Sequence, residues 1–346
     1  MTTALRSVSA CAFPVSRQTS RMIRVAVVVM LLSGCMTTTG TGDIKRELLR
    51  FDRSEPQGAG WKRIQTAEYE LFTDLAPALA QRAALTLSQS LSGLRAMFGQ
   101  APVAAEQKLT VIAMNDSIEF ERRFGRLTQG LAFYEGDEVT ICLYGPPDRW
   151  FARHEISYGG TQSVVIHELA HAVLHRYFVK QTRWFAEGMA QYLETFQWLD
   201  AETLRLGDPN LAAYRTYRGI RSLNLEDLRK WNSMNERDLK VAGLYGLSWA
   251  FVHYARNREA QKFGHFLADT ARAGPDQAFE DNFGGRGEEL DKAIFTYMKQ
   301  GNYSQTVIKV PLPFPEAVLV EHVSTEVEKR IEAKLAEIQV AQRPGE

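Results

Sequence analysis

Two histidines and a glutamate are the residues of this 346-residue chain whose types and spacing could do chemistry. His167 and His171 are four positions apart, so on a helix both imidazoles lie on one face and can reach a single ion. Glu168 follows the first histidine and can flank that ion without binding it. This spacing is typical of a zinc site in which the carboxylate takes a proton from the metal-bound water.

A zinc ion that catalyses hydrolysis needs a third protein ligand and an open position for water. In the metzincin pattern the third ligand is a histidine six residues after the second one, and that position here is Tyr177. In the gluzincin pattern it is a glutamate on the next helix. Glu187 follows His171 by sixteen residues, in a run from Trp184 to Tyr192 that predicts a helix turning back against the first.

The motif His-Glu-Leu-Ala-His with the later run Trp-Phe-Ala-Glu-Gly-Met-Ala-Gln-Tyr resembles the gluzincin metallopeptidases, and most closely the bacterial peptidase MA-like family. The resemblance covers about Trp61 to Gln300. It implies an α+β zincin fold like that of thermolysin, with a small mixed β-sheet in the N-terminal half and an all-α C-terminal half. It also implies Zn²⁺ as the cofactor, bound by His167, His171 and Glu187, and a peptide or protein as the substrate.

The same resemblance implies that peptide bonds are hydrolysed by a zinc-activated water with Glu168 as the general base. In gluzincins a tyrosine or histidine from the helical half commonly stabilises the tetrahedral oxyanion. Tyr245 is our first candidate by position, ahead of Tyr192 and His253, and a core tyrosine is the alternative reading of it. One position departs from thermolysin: an aspartate that orients a histidine is replaced here by Gln191.

Hydrophobic periodicity and capping residues predict the elements that must position these side chains. Thr161 is the candidate N-cap of the histidine helix. In the N-terminal half the predicted strands are two short runs in Trp61–Thr73, Lys108–Met114, Leu131–Tyr134 and Val139–Tyr144, and the predicted helices are Leu75–Phe98 and Ser117–Phe124. After Glu194 the predicted helices are Leu225–Trp231, Leu239–Arg256, Ala260–Arg272, Gln277–Phe283, Glu288–Lys299 and one opened by the capping box Thr325–Glu328. By the resemblance, Val139–Tyr144 is the sheet edge along which a substrate pairs, and a purely structural strand is the alternative.

The first 34 residues resemble a bacterial lipoprotein signal peptide. They hold four arginines, no acid and an apolar run too short to span a bilayer, and they end in Leu-Ser-Gly before Cys35. In that family the cysteine is lipidated and becomes the mature N-terminus. An ordinary secretory signal is the alternative, and Met22 is a second candidate start. The expected location is the bacterial cell envelope, lipid-anchored to a membrane and facing the periplasm, and Met36 after the cysteine favours the outer membrane.

We expect four segments: a signal peptide at 1–34, a lipid-anchored tether at 35–58, a zinc metallopeptidase domain at 59–302, and an extended strap with an amphipathic helix at 303–346. The chain has 45% apolar and 24% charged residues, which suits a globular protein, and no basic stripe for nucleic acid is present. A second interpretation stays open: a non-catalytic, zinc-stabilised lipoprotein that acts as a chaperone or envelope assembly factor. Glu168 favours the enzyme, because a structural zinc site needs no base and is usually cysteine-rich.

Overall fold

The protein is described by a computed structural model that covers residues 60–98, 109–125, 130–136, 138–150, 163–178, 180–219, 222–231, 239–310 and 319–342. The predicted signal peptide, the cysteine anchor and the tether lie outside these residues. Within them, no helix is long and apolar enough to cross a membrane.

The strands, numbered along the chain, are β1 (Lys62–Gln65), β2 (Tyr69–Thr73), β3 (Leu109–Met114), β4 (Gly130–Glu135), β5 (Glu138–Tyr144), β6 (Gln197–Trp198), β7 (Thr203–Leu206), β8 (Thr306–Lys309) and β9 (Glu321–His322). The helices are α1 (Pro77–Phe98), α2 (Ser117–Phe124), α3 (Val164–Tyr177), α4 (Arg183–Leu193), α5 (Leu211–Gly219), α6 (Leu225–Arg229), α7 (Leu239–Arg258), α8 (Ala260–Ala273), α9 (Pro275–Phe283), α10 (Gly287–Gln300) and α11 (Thr325–Ala341). Each predicted helix and strand is confirmed to within a few residues, and the fold class is α+β.

A six-stranded mixed sheet organises the N-terminal half, in the order β4-β5-β3-β2-β1-β9. Strands β2, β3 and β5 run parallel to one another, and β4 is antiparallel to β5. The prediction that Val139–Tyr144 forms the sheet edge is therefore wrong, because this strand is β5 and β4 pairs along its outer side. The edge strand is β4, because the chain forms β4 first and then places β5 antiparallel to it, between β4 and β3.

The two faces of this sheet are covered by different helices, because side chains alternate between the faces of a strand. Val111 and Leu143 belong to the large core that includes α1 and α3. Ile112 and Cys142 point to the other face and belong to a second apolar cluster with residues of α2 and α11. Central strands covered on both faces read as continuous apolar runs, which is why β3 and β5 are easy to predict.

The C-terminal helix α11 is part of this sheet domain in three dimensions. Its residues Ile331, Leu335 and Ile338 are buried in the second apolar cluster. The helix begins at Thr325, and its cap is Ser324, whose Oγ accepts a hydrogen bond from the Val327 amide at 3.4 Å. The predicted capping box is therefore wrong by one residue.

The C-terminal half is mainly helical, but it is not all-α as expected. Strands β6, β7 and β8 form a three-stranded antiparallel sheet within it. Helix α5 is also absent from the sequence prediction, and it packs against α7. Helix α7 is central to this half, because α4, α5, α6, α8 and α10 all contact it.

Candidate metal centre

Helix α3 carries both histidines through the interior of the protein. Its N-cap is Ser163, whose Oγ accepts a hydrogen bond from the Ile166 amide at 3.3 Å. The predicted cap, Thr161, lies outside the described residues, and the cap assignment is wrong. Val165 and Leu169 are fully buried, so the apolar face of the helix fixes the direction in which its histidines point.

The side chains of His167, His171 and Glu187 meet at one point between α3 and α4. The two Nε2 atoms of the histidines are 3.2 Å apart. Glu187 Oε2 lies 3.4 Å from Nε2 of the first histidine and 3.8 Å from Nε2 of the second. Among the described residues this is the one group of three or more side chains that could hold a metal ion, with all ligand atoms within 4.8 Å of one another.

One atom of this group is buried without a hydrogen bond. Glu187 Oε2 is inaccessible to solvent and has no hydrogen-bond partner among the residues that the structure describes. A buried carboxylate oxygen in that position is costly unless a donor or a cation satisfies it. Two imidazoles and a carboxylate are a donor set that zinc binds well, so the residues present fit a zinc ion.

The charges around the three side chains favour a bound cation. Burial lowers the pKa of His171 to about 4, which leaves its imidazole neutral, the form that binds metal. Burial also opposes ionisation of His167, but Glu187 and Glu194 outweigh it and raise its pKa above the ordinary value. A metal ion bound by His167, His171 and Glu187 would take the place of the proton that these carboxylates attract.

Glu168 faces this centre as a separate carboxylate. Burial raises its pKa to about 7, and the negative charges of Glu187 and Glu194 act in the same direction. A group with a pKa near neutrality is well suited both to accept and to return a proton at physiological pH. The pKa of Glu187, in contrast, is lowered, because its burial is outweighed by the two histidines. The two acids therefore lie in different electrostatic environments.

Glu194 orients the first histidine, a role that the sequence analysis did not assign. Its Oε2 is 2.5 Å from Nδ1 of His167, and its Oε1 accepts a hydrogen bond from Asn210 Nδ2 at 2.5 Å. Glu194 and Asn210 are both buried. A proton on Nδ1 that is donated to this carboxylate leaves the Nε2 lone pair facing His171 and Glu187.

A signal for Glu194 is present in the sequence. It follows Glu187 by seven residues, which is about two turns of a helix, so Glu194, the C-cap residue of α4, projects from the same side as Glu187. Gln191 does not take this role. Its Nε2 donates to the backbone carbonyl of Tyr245 at 3.2 Å and so joins α4 to α7.

Gly188 explains how closely α4 and α7 approach each other. A Cβ atom at this position would lie 2.7 Å from the carbonyl oxygen of Ser248, which is closer than any real contact. The glycine next to Glu187 therefore lets the backbones of α4 and α7 touch. This close contact helps to fix the position of α4, the helix that carries Glu187.

A cleft of about 640 Å³ opens over the centre. Residues of β4, of α3 and of the first half of α4 line it, together with Tyr245 of α7. Gln342, directly after α11, also contributes to the lining. The lining residues are Gly130, Leu131, Ala132, Tyr134, His167, Glu168, His171, His175, Gln181, Thr182, Arg183, Ala186, Glu187, Tyr245 and Gln342.

Gly130 brings the edge strand against the metal helix. A Cβ atom there would lie 2.7 Å from Val164 Cγ1 and 3.0 Å from Glu168 Cγ. Only a residue without a side chain fits between β4 and α3 at this distance. Gly130 consequently lies against the side chain of Glu168, and both residues line the cleft.

The three candidates for the oxyanion donor have different positions. Tyr245 lines the cleft, and its Oη accepts a hydrogen bond from Arg183 Nη2 at 2.9 Å. His253 is fully buried elsewhere on α7, with Nδ1 2.8 Å from Tyr297 Oη. The ring of Tyr192 packs against His253 at 5.6 Å, so neither of these two residues is among the lining residues.

Two other residues of interest have simple positions. His175 lines the cleft with its ring 4.8 Å from that of Tyr134, and it is not part of the metal-binding group. Cys142 is a fully buried free thiol whose pKa is raised by burial. It therefore behaves as a small apolar side chain of the sheet, as its sequence context indicates.

Comparison with known proteins adds one finding. No curated protein matches the chain. Helices α3 and α4, the residues Glu194 and Asn210, and Tyr245 on α7 all lie in one stretch of sequence. Over that stretch, residues 161–277, the chain is similar to a family described as "Protein of unknown function (DUF1570)".

Proposed function

We propose that the protein is a zinc-dependent metallopeptidase with a thermolysin-like zincin fold. The observation that carries this proposal is the convergence of His167, His171 and Glu187 beside the buried side chain of Glu168 in an open cleft. A purely structural zinc site has no need of an extra carboxylate or of an open cleft.

Zinc bound by the three ligands would act as a Lewis acid and lower the pKa of a coordinated water. The protein's own residues supply the remaining steps. Glu168 takes a proton from the attacking water and returns it to the departing amine. Its burial among other acids holds its pKa near neutrality, so the carboxylate can act in both directions.

The edge strand β4 supports a peptide as the substrate. An edge strand presents backbone N–H and C=O groups that an extended chain can pair with. Gly130, Leu131 and Ala132 of this strand line the cleft, and the strand lies against Glu168. A peptide added along β4 places its carbonyl groups over the metal-binding side chains.

Tyr245 is the proposed donor to the oxyanion. It lines the cleft together with the candidate metal-binding side chains, and a phenol can donate one hydrogen bond. Removal of one such donor typically lowers kcat by about 10²–10³-fold. The expected effect of Tyr245→Phe is a loss of this size with zinc retained.

The experiment that tests the proposal separates the two glutamates. Glu187→Ala removes a ligand, so zinc content and peptide cleavage should both fall sharply. Glu168→Gln keeps the side-chain shape but removes the base, so the protein should hold about one zinc per chain and cleave almost nothing. Zinc is measured by plasma emission on purified protein, and cleavage with casein and short peptides, each with and without chelator.

Two outcomes would overturn parts of this proposal. Full zinc occupancy in Glu187→Ala would place the third ligand elsewhere. A protein that binds zinc and shows no hydrolysis in any assay would favour the non-catalytic lipoprotein, the second interpretation of the sequence. His167→Ala and His171→Ala are the matched controls, because both should lose metal and activity together.

A further inference from the structure

Arg183, Tyr245 and Trp231 form a compact cluster, and the first two of these residues line the cleft. Arg183 is the first residue of α4, Tyr245 lies on α7, and Trp231 follows α6. The guanidinium carbon of the arginine lies 4.8 Å from the centre of the tryptophan ring and 5.5 Å from that of the tyrosine ring. The two rings meet edge to face at 4.7 Å.

Contacts at the backbone and at the ring hold Tyr245 in position. Its backbone carbonyl accepts hydrogen bonds from Gln191 Nε2 at 3.2 Å and from Ser248 Oγ at 2.8 Å. Its ring packs against Trp231, which is fully buried. The phenol oxygen is therefore held in one place, 2.9 Å from Arg183 Nη2.

The chemistry of the two groups sets the direction of this hydrogen bond. A guanidinium has donors only, so the phenol oxygen of Tyr245 must be the acceptor. The proton of the phenol then points away from Arg183. Both residues line the cleft that holds Glu168.

We propose that Arg183 is a positioning residue, which holds the hydroxyl of Tyr245 as a hydrogen-bond donor facing the reacting carbonyl. The catalytic part of this inference rests on the metallopeptidase function proposed above. The cation also polarises the phenol, because a nearby positive charge makes an O–H group a stronger donor. Arg183 thus acts through Tyr245 and needs no contact with the substrate.

The same contacts would be present if Arg183 only linked α4 to α7. The test therefore measures properties that a purely structural link would leave unchanged. The first readout is the titration of Tyr245 itself, followed by NMR of ¹³Cζ-labelled tyrosine and assigned with Tyr245→Phe. Arg183→Met should raise the pKa of this phenol by about one unit or more, the usual effect of a neighbouring charge. Arg183→Lys keeps the charge and should restore most of the wild-type titration.

The chain offers a matched control for this measurement. Arg258 lies over the ring of Tyr297, with its guanidinium carbon 5.1 Å from the ring centre, and neither residue lines the cleft. Arg258→Met also removes a guanidinium from a tyrosine, and it should leave the titration of Tyr245 unchanged. An unchanged titration in Arg183→Met as well would overturn the inference.

The second readout is a double-mutant cycle in peptide hydrolysis. Arg183→Met should lower kcat by roughly 10–100-fold, less than the loss of the donor itself, while KM changes little. In the Tyr245→Phe background the same substitution should have almost no further effect, because the group that it positions is gone. Equal losses of kcat in both backgrounds would show that Arg183 acts independently of Tyr245.

The two readouts distinguish failure of the inference from failure of the proposed function. If no peptide is cleaved at all, the metallopeptidase proposal fails, and the NMR titration still decides whether Arg183 controls the phenol. If peptides are cleaved and the cycle is additive, the positioning role fails and the enzyme stands. If Arg183→Met does not fold, Arg183→Lys still allows the test, because it keeps the positive charge and changes only the geometry of the donor.

Discussion

At the scale of single residues, Glu194 orients the imidazole of His167 and favours a proton on its Nδ1. The carboxylate accepts the Nδ1 proton and is itself fixed by Asn210, which caps α5 through a hydrogen bond from the Ala213 amide to Asn210 Oδ1 at 3.0 Å. A chain of hydrogen bonds thus runs from the imidazole of His167 to the start of α5. Such partners orient the ligand and raise its basicity.

The prediction at this scale concerns Glu194→Gln. An amide is a weaker acceptor than a carboxylate and carries no charge, so the imidazole loses orientation and basicity. We expect zinc affinity to fall by roughly 10–100-fold with the fold retained. Competition with a chromogenic chelator measures the affinity. Glu202→Gln, at an exposed acid between β6 and β7, should bind zinc as the wild type does; equal affinity in Glu194→Gln would remove the orienting role.

At the scale of elements, the contact between β4 and α3 shapes the cleft. Strand β4 could lie against α3 only because residue 130 has no side chain. The prediction is that Gly130→Ala destabilises the protein by about 1–3 kcal/mol, the usual cost of overpacking, and lowers peptide cleavage because β4 moves away from Glu168. Urea unfolding and the cleavage assay measure the two effects.

A second substitution tests the assigned cause of this loss. Val164→Ala removes the methyl group that the new Cβ would meet, so Gly130→Ala combined with Val164→Ala should recover part of the stability. Gly287→Ala is the matched control, since a Cβ there meets nothing within 4 Å. Full stability of Gly130→Ala alone would mean that the two elements can separate without cost.

The buried histidine of α7 makes a prediction about pH. Burial lowers the pKa of His253 to about 4, whereas an unfolded histidine has a pKa of about 6.5. The unfolded chain binds the proton first, so the stability from this group is complete above about pH 6.5 and is lost as the pH falls toward about 4. The free energy of unfolding of the wild type should therefore fall more steeply in this window than that of His253→Gln, by up to about 3 kcal/mol.

Urea unfolding in the presence of chelator measures this pH dependence, because the metal-binding side chains then titrate alike in both proteins. Parallel stability curves between pH 7 and about pH 4 would show that His253 takes up its proton without cost. His253→Gln should also have a lower free energy of unfolding than the wild type at neutral pH, because the substitution removes the native interaction of Nδ1 with Tyr297 Oη.

At the scale of the whole molecule, the described residues begin two positions after the end of the predicted tether. Gly60 is the first described residue, and β1 follows at Lys62. The expectation of a lipid at Cys35 concerns residues before this point. We predict that Cys35→Ser blocks lipidation and releases the protein from the membrane fraction without changing zinc content. Mass spectrometry of the N-terminal peptide is the measurement, and a wild-type protein with no acyl group at Cys35 would contradict the prediction.

The sequence by itself determined much about this protein where the signal is local. Helix α3 and helix α4 follow from hydrophobic periodicity, and the spacing of His167 and His171 places both on one helical face. The α+β class follows from apolar runs for β3 and β5 and amphipathic runs for the later helices. Glu187 was found because its run resembles a known helix, not because spacing in the chain measures distance in space.

Tertiary structure decided what depends on contacts between distant segments. The order of strands is not written in any one strand, so the edge was assigned to β5 although β4 lies outside it. Helix α5 and the strands β6 to β8 were missed, because short segments are stabilised mainly by the elements they pack against. Arg183 meets Tyr245 across 62 residues of chain, and Glu194 meets His167 across 27, because α3, α4 and α7 pack together around one buried centre.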